Sequence, residues 1–233
     1  MPFVLRVATD GGADRTRVRH ETALKETLVS RTCLCMQSQM RKLKYHVATT
    51  LDGFIAGEDD SVDFFPSDLS PEHVMDYFHS LLSEYDTVLM GRGTYEPALK
   101  VGITDPYPSL ETYVFSRTLK ESPEPRVHLV REDPVAFVRE LKSRPGTQTD
   151  MSRAVRAAKM SVPKDIYLCG GGPLAAALFD AGLIDEVIIK LNPVLIGAGK
   201  TLAPHLARKA DLELLSTKAY RNGVVLLQYA VKH

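Results

Sequence analysis

The chain has 233 residues, of which 44% are hydrophobic and 25% charged, and its 29 basic side chains are balanced by 29 acidic ones. This composition is typical of a globular protein with one large domain or two small ones. The zero net charge argues against a broad electrostatic field for nucleic acid or an anionic membrane, and no apolar run approaches the roughly 20 residues of a transmembrane helix. We therefore expect neither nucleic acid nor a membrane as a partner.

The first 40 residues lack the pattern of a folded core. They mix charges of both signs without an apolar segment, and they fit neither a secretory signal nor a transit peptide. We predict that residues 1–40 are a disordered extension, with Met40 as an alternative start of the protein. Cys33, Cys35 and Cys169 match no zinc or disulfide spacing, so we expect reduced thiols, no metal and a cytoplasmic location.

Strands and helices alternate through the first part of residues 41–233. Strands are predicted at 43–50, 86–90, 111–116, 126–130 and 165–169. Helices are predicted from Ser70-Pro71-Glu72, from Asp133-Pro134 through 141, and at 174–179. The first helix has an apolar stripe that we expect to be buried, formed by Val74, Met75, Phe78, Leu81 and Leu82. This alternation indicates parallel βαβ units with right-handed crossovers.

The last part of the chain reads as β structure. A long strand is predicted at 186–196, and a hairpin at 212–218 and 224–231 turns at Asn222-Gly223. The fold class is therefore α/β, with a mixed, mostly parallel sheet of about eight strands and an antiparallel C-terminal hairpin. Residues 146–163 separate a helix from a strand and are predicted to be a surface insertion, with a functional lid as the alternative.

The C-terminal hairpin is more apolar than one sheet face requires. Its apolar residues are Leu212, Leu214, Leu215, Val224, Val225, Leu226 and Leu227. Strands buried on both faces have continuous apolar runs, so core packing explains them as well as self-association does.

Three glycine-rich turns follow predicted strands: Gly91-Arg92-Gly93-Thr94, Gly170-Gly171-Gly172-Pro173 and Gly197-Ala198-Gly199. Ligands of open α/β sheets bind at the carboxyl ends of strands. A glycine backbone approaches a ligand closely, and the start of the following helix favours a phosphate. The alternative for the triple glycine is a tight turn that needs positive φ.

Two arginines follow strands near these turns. Arg92 with Thr94, and Arg117 with Ser116, offer charged and hydroxyl hydrogen-bond donors. Together with the triple glycine they predict a ligand with separated phosphates, such as NADP.

The segment Gly197-Ala198-Gly199-Lys200-Thr201 also resembles the end of a nucleotide phosphate loop. The full motif needs a glycine where this chain has Val194, and valine lacks the backbone freedom that glycine supplies. A phosphate-loop NTPase is therefore a disfavoured alternative.

Four segments together resemble the dihydrofolate reductase-like superfamily. They are Thr49-Thr50-Leu51-Asp52-Gly53-Phe54-Ile55-Ala56, Val88-Leu89-Met90-Gly91-Arg92-Gly93-Thr94-Tyr95-Glu96, Cys169-Gly170-Gly171-Gly172-Pro173-Leu174 and Pro193-Val194-Leu195-Ile196-Gly197-Ala198-Gly199. The resemblance is closer to the reductase domain of the bifunctional deaminase-reductase of riboflavin biosynthesis and its small stand-alone relatives. It implies a three-layer fold over residues 41–233, and it implies that the 193–199 segment ends a central strand and shapes the pocket.

The resemblance also implies NADPH as cofactor and assigns residues to it. Val47 and Ala48 would lie against the nicotinamide. Gly91, Arg92 and Thr94 would hold the adenosine phosphate and the pyrophosphate.

Further cofactor residues follow from the same resemblance. Ser116 and Arg117 would face the ribose phosphate and favour NADPH over NADH. The pyrophosphate would also contact a turn and helix start, in which dihydrofolate reductases have a cis Gly-Gly peptide: Gly170, Gly171, Gly172, Pro173 and Leu174. Asp52 belongs to the D-G turn beside the substrate pocket and is the candidate catalytic residue.

The implied function is hydride transfer from NADPH to a small heterocyclic or imine substrate, within a homodimer. Riboflavin-type reductases have K-x-A-x-S-x-D-G in the first strand, and here His46 and Thr50 replace the lysine and the serine. Dihydrofolate reductases have an acid on the first helix, and Asp63, Asp68 and Glu72 do not match its position. A riboflavin-type substrate is therefore preferred, while a pterin reductase and a non-catalytic ligand-binding relative remain alternatives. His46 is either a phosphate ligand or an ordinary strand residue.

Overall fold

The structure is a computed structural model, of which residues 41–65, 71–144 and 164–233 are described. The predicted extension at 1–40, the predicted helix cap Ser70 and the predicted insertion at 146–163 lie outside these residues. Within the described residues, no helix has the length and apolar character needed to cross a membrane.

Ten strands and four helices form the described part of the chain. The strands are β1 (Leu43–Thr49), β2 (Phe54–Ala56), β3 (Tyr85–Gly91), β4 (Glu111–Phe115), β5 (Val127–Val130), β6 (Asp165–Gly170), β7 (Glu186–Leu191), β8 (Lys200–Thr201), β9 (Leu212–Ala219) and β10 (Val225–Val231). The helices are α1 (Pro71–Glu84), α2 (Arg92–Lys100), α3 (Pro134–Ser143) and α4 (Gly172–Asp180).

Eight strands form one mixed sheet in the order β5-β4-β3-β6-β1-β7-β10-β9. The first six strands of this order are parallel to one another, and β10 and β9 continue the sheet as an antiparallel hairpin. Asp133 caps α3 by accepting a 2.8 Å hydrogen bond from the backbone N–H of Ala136. The predicted mixed sheet with its C-terminal hairpin is confirmed, and helices cover both of its faces.

Side chains of each central strand alternate between two cores. On β1, Leu43 and Tyr45 belong to the core beneath α3 and α4, whereas Lys44 and His46 point to the opposite face, where α1 and α2 pack. On β6, Leu168 belongs to the core beneath α3 and α4, and Tyr167 belongs to the core beneath α1 and α2. This alternation with period two places the polar residues of β1 beneath α1.

The prediction of one buried stripe on α1 is wrong. Leu81 is buried in the core, but Met75, Phe78 and Leu82 are each more than half exposed. The inner side of α1 instead presents Tyr77 to the sheet, because the helix covers a cavity and not a closed apolar core.

Two further details differ from the sequence-based prediction. Strand β7 ends at Leu191 and not at 196, because the chain turns away at Asn192, whose side-chain amide donates to the Thr49 and Lys190 carbonyl oxygens, each at 3.0 Å. The short strands β2 and β8 form a separate antiparallel pair. Strands of two or three residues have no periodicity that a sequence can reveal.

Buried charges gather at the amino-terminal edge of the sheet. Arg41 pairs with Asp86, and Lys44 binds Glu84 at 2.8 Å and Asp165 at 2.9 Å. These side chains lie at the end of the strands opposite to the glycine-rich turns, so the two edges of the sheet have different chemistry.

Candidate functional site

Most predicted cofactor residues lie at one edge of the sheet. Strands β4, β3, β6 and β1 are parallel neighbours in this order. Their carboxyl ends therefore bring the Ser116-Arg117 turn, the Gly91 turn, the Gly170 turn and the Val47-Ala48 pair into one row. This row follows the rule that ligands of open α/β sheets bind at the carboxyl edge.

The two glycine-rich turns at the centre of the row touch each other. The Cβ that an alanine would add at Gly170 would lie 3.2 Å from Oγ1 of Thr94, and one at Gly91 would lie 3.8 Å from the backbone nitrogen of Gly171. The peptide bond between Gly170 and Gly171 is cis. Glycines thus keep this junction free of side chains, apart from the Thr94 hydroxyl.

Helices α2 and α4 both begin at this junction. Their N-caps are Gly91 and Gly171, and neither has a side chain that accepts a hydrogen bond from the first turn. The first-turn N–H groups and the positive ends of two helix dipoles therefore remain available to an anion. Pro173 occupies the first turn of α4, and Leu174 packs into the core behind it.

Ser116 and the two arginines have different environments. Ser116 is buried, and its hydroxyl accepts hydrogen bonds from the backbone N–H groups of Thr118 at 3.3 Å and Leu119 at 2.9 Å. Arg117 is exposed at the end of the row. Arg92 is also exposed and pairs with Glu96 at 3.1 Å along α2, an interaction that is weak on a helix surface.

A cavity of about 660 Å³ lies between α1 and the sheet, next to Val47 and Ala48. Its floor comes from four strands and includes His46, Tyr167, Cys169, Ile188, Lys190 and Gln228. Its roof comes from α1 and includes Asp76, Tyr77, Ser80 and Glu84. Ile55 of β2 and Tyr220 before β10 close its sides. Of the predicted cofactor residues, only Val47 and Ala48 line it.

A cluster of tyrosines forms the inner wall of the cavity. The hydroxyl of Tyr77 is 3.3 Å from that of Tyr167 and 3.4 Å from that of Tyr107, which in turn is 3.1 Å from the Cys169 sulfur. The His46 ring packs edge-on against Tyr77 and Tyr167, with centroids 5.7 and 5.8 Å away. Burial raises the pKa of Tyr77, Tyr107, Tyr167 and Cys169, so all four stay protonated at neutral pH.

Asp52 does not line the cavity. Its carboxylate accepts hydrogen bonds from the backbone N–H groups of Ile196 at 3.1 Å and Gly197 at 2.8 Å. A hydrogen bond from Thr50, with smaller contributions from these two amides, lowers the pKa of Asp52. The side chain therefore links the D-G turn to the 193–199 segment, and its catalytic role stays a prediction.

The segment that resembles a phosphate loop has another structure. Lys200 and Thr201 form β8, which pairs with β2, and Lys200 forms an ion pair with Asp60. A phosphate loop requires a helix directly after this lysine, and none follows. A Cβ at Gly199 would collide with the carbonyl oxygen of Ala56, so the glycine permits close packing of the two short strands. The segment reaches the cavity only indirectly, through β2.

Several cavity residues were not anticipated from the sequence. Tyr77, Tyr167 and Lys190 stand in ordinary helix and strand patterns, without a local motif. Alternation along β6 and β7 would have placed Tyr167 and Lys190 on defined faces, but only knowledge of the strand order shows that both face α1.

Comparisons with known proteins identify relatives of this chain. The family model of the RibD C-terminal domain matches residues 41–226. Two proteins of Bacillus subtilis (strain 168), both named as uncharacterized, are similar along nearly their whole length. YyaP is 28% identical over 202 residues, which cover 82% of this chain and 95% of YyaP. YwjB is 29% identical over 188 residues, which cover 80% of this chain and 96% of YwjB.

Solved structures share the fold. A protein from Shewanella sp. PV-4, whose name assigns it provisionally to riboflavin biosynthesis, aligns with a TM-score of 0.63 at 24% identity, over 83% of this chain and 100% of its own. The diaminohydroxyphosphoribosylaminopyrimidine deaminase/5-amino-6-(5-phosphoribosylamino)uracil reductase of Thermotoga maritima aligns with a TM-score of 0.55 at 14% identity, over 84% of this chain and 58% of its own. With the family model matching most of the described residues, the chain belongs to the RibD C-terminal domain family.

Proposed function

We propose that this protein is an NADPH-dependent reductase that transfers a hydride to a small heterocyclic or imine substrate of the riboflavin-biosynthesis type. The main support is the row of turns at the carboxyl edge of β4, β3, β6 and β1, which leads to the cavity at Val47 and Ala48. A dinucleotide laid along this row would reach the cavity with its nicotinamide end. The fold relative from Thermotoga maritima is itself named as a uracil reductase.

The residues at the row fit an anionic dinucleotide. The starts of α2 and α4 lack side-chain caps, and their glycines keep side chains away from the junction along which a pyrophosphate would lie. Arg117 and Arg92 are exposed and can turn toward a second, separate phosphate. Bound NADPH would supply the hydride. The chain itself would bind the phosphates and exclude water from the cavity between α1 and the sheet.

A spectrophotometric screen tests this function. NADPH oxidation is followed with the riboflavin intermediate, with pterins and without substrate. We expect turnover of the riboflavin-type substrate, whereas turnover of pterins alone identifies a pterin reductase. NADPH binding without any turnover indicates a non-catalytic relative, and failure to bind NADPH contradicts the proposal.

We also propose that the protein is a homodimer in the cytoplasm. Leu212, Leu214 and Leu215 on the edge strand β9 are all exposed, so this strand presents an apolar surface beside unpaired backbone groups. A second copy of the chain would cover this surface. The free thiol of Cys169 agrees with a reducing compartment.

A further inference from the structure

Lys190 is a cation on the floor of the cavity. It lies on β7, with Ala48 of β1 as its register partner on one side and Leu226 of β10 on the other. Residues that are directly opposite in neighbouring strands point to the same face, so the lysine is flanked by two apolar side chains. Burial lowers the pKa of Lys190, as expected for an ammonium group removed from water.

The carboxylates of the cavity already have other partners. Asp76 binds Lys218 at 2.7 Å and the Tyr220 hydroxyl at 2.8 Å, while Glu84 binds Lys44 at 2.8 Å. Within the described part of the chain, the Lys190 ammonium has no hydrogen bond and no ion pair. The cavity therefore has one half-buried positive charge without a counter-charge from these residues.

We propose that the cavity takes an aromatic or heterocyclic ligand whose phosphate or carboxylate group pairs with Lys190. A half-buried charge is unfavourable unless it is paired, so an anion that enters the cavity gains an interaction that water supplies poorly there. Tyr77 and Tyr167 line the same cavity and would contact the body of this ligand. The inference deepens the proposed function and rests on it, because the ligand is taken to be the substrate of the same cavity.

The test is isothermal titration of the full chain, without nucleotide, with three probes of similar size. Benzoate and phenyl phosphate have an anionic group, and benzamide is the neutral control. We expect both anions to bind at least about tenfold more tightly than benzamide, because a charge-assisted hydrogen bond stabilises the complex by about 1.5–3 kcal/mol. The tighter of the two anions identifies the preferred group as carboxylate or phosphate.

Three variants show whether Lys190 is responsible. Lys190→Met should lose the preference for anions, Lys190→Arg should keep most of it, and Lys100→Met, on the exposed end of α2, should bind like the wild type. Melting temperatures monitor folding, and Lys190→Arg keeps the test valid if the methionine variant unfolds. Equal anion binding by wild type and Lys190→Met, equal binding of benzamide and the anions, or no binding of any probe overturns the inference. Because no nucleotide is added, failure of NADPH binding is a separate result.

Discussion

At the scale of single residues, the two exposed arginines give the sharpest test of the proposed cofactor. Arg117 stands at the far end of the row from the cavity, where the extra phosphate of NADPH would lie in the proposed orientation. Arg117→Ala should weaken NADPH binding about tenfold, because it removes a charge-assisted hydrogen bond worth about 1.5–3 kcal/mol. NADH binding should hardly change. Fluorescence titrations with both nucleotides measure the two affinities.

Arg92→Ala should act in the same direction, with some loss for NADH if the side chain also contacts the pyrophosphate. Its ion pair with Glu96 is not an obstacle, since an exposed pair of this kind stabilises a helix by only about 0.3–0.5 kcal/mol. Equal weakening of both nucleotides by Arg117→Ala, or no weakening, would show that the adenosine end is misplaced.

Asp52 allows a loop-linking role to be separated from a catalytic one. Asp52→Ala removes both hydrogen bonds to Ile196 and Gly197, so hydrogen exchange of these two amides should become faster. Asp52→Asn keeps one acceptor oxygen and should restore much of the protection. If activity follows protection in the two variants, Asp52 links the loop; if the asparagine variant is protected but inactive, the carboxylate is catalytic.

The lowered pKa of Asp52 determines how its contact with the 193–199 segment depends on pH. A lowered pKa keeps the carboxylate ionised below the usual aspartate range, so the loop contact persists at neutral and mildly acidic pH. The same direction makes Asp52 a poor proton donor near neutral pH.

At the scale of elements, helices α2 and α4 offer a matched pair of glycine substitutions. A Cβ on Gly172 would lie 2.5 Å from the Thr201 carbonyl oxygen and 2.8 Å from Cδ of Pro204, whereas the nearest atom to one on Gly93 is 4.0 Å away. Gly172→Ala should lower the free energy of unfolding by about 1–3 kcal/mol through overpacking. Gly93→Ala should leave it unchanged or raise it by up to about 1 kcal/mol. Urea denaturation of both variants measures the difference, and equal stabilities would contradict the close packing of α4 against β8.

The elements that could be predicted from the sequence are those with a periodic pattern or a distinctive turn. The parallel strands, helix α3 after Asp133 and the turns at Gly53 and Gly223 all follow local rules. The φ angles of the two glycines are positive, 87° at Gly53 and 85° at Gly223. The cavity could not be predicted, because Tyr167 and Lys190 are 23 residues apart in sequence and meet only through the strand order. The exposed side of α1 also escaped prediction, since apolar spacing does not show which of two apolar faces meets the sheet.

At the scale of the whole molecule, the charged amino edge of the sheet is expected to make stability depend on pH. Burial opposes the ionisation of Glu186 at this edge. Hydrogen bonds from Lys42 at 2.6 Å and Gln228 at 2.9 Å nevertheless lower its pKa. A lowered folded-state pKa contributes stability above the ordinary glutamate pKa, and this contribution is lost as the pH falls through the folded value.

Glu186→Gln should therefore be less stable than the wild type at neutral pH, by about 1.5–3 kcal/mol. This difference in the free energy of unfolding should shrink at acid pH, below the ordinary glutamate pKa of 4.5. Urea unfolding over a pH series measures it, and Glu213→Gln, whose partner Lys232 is also exposed, is the control. A difference that stays constant across the series would show that the Glu186 charge is not responsible.

The proposed homodimer predicts a change of mass on substitution of the edge strand. Residues of β10 contact β7 or the cavity, whereas the leucines of β9 remain exposed. Leu214→Glu should convert a dimer into a monomer in light scattering at micromolar concentration, because a charge would be buried in the interface. Val101→Glu, at another exposed apolar position, should not. A wild-type monomer contradicts the proposal.

The tyrosines around the cavity allow ligand binding to be followed by intrinsic tyrosine fluorescence. The chain has nine tyrosines and no tryptophan, so its ultraviolet emission comes from tyrosine alone. Tyr77, Tyr167 and Tyr220 line the cavity, and a ligand that enters it should quench a substantial share of this emission. Burial raises the pKa of all three tyrosines, and that of Tyr220 to about 12 with the help of Asp76, so their phenols stay protonated in neutral and mildly alkaline buffer. Tyrosine emission should therefore report binding in the cavity without any attached label.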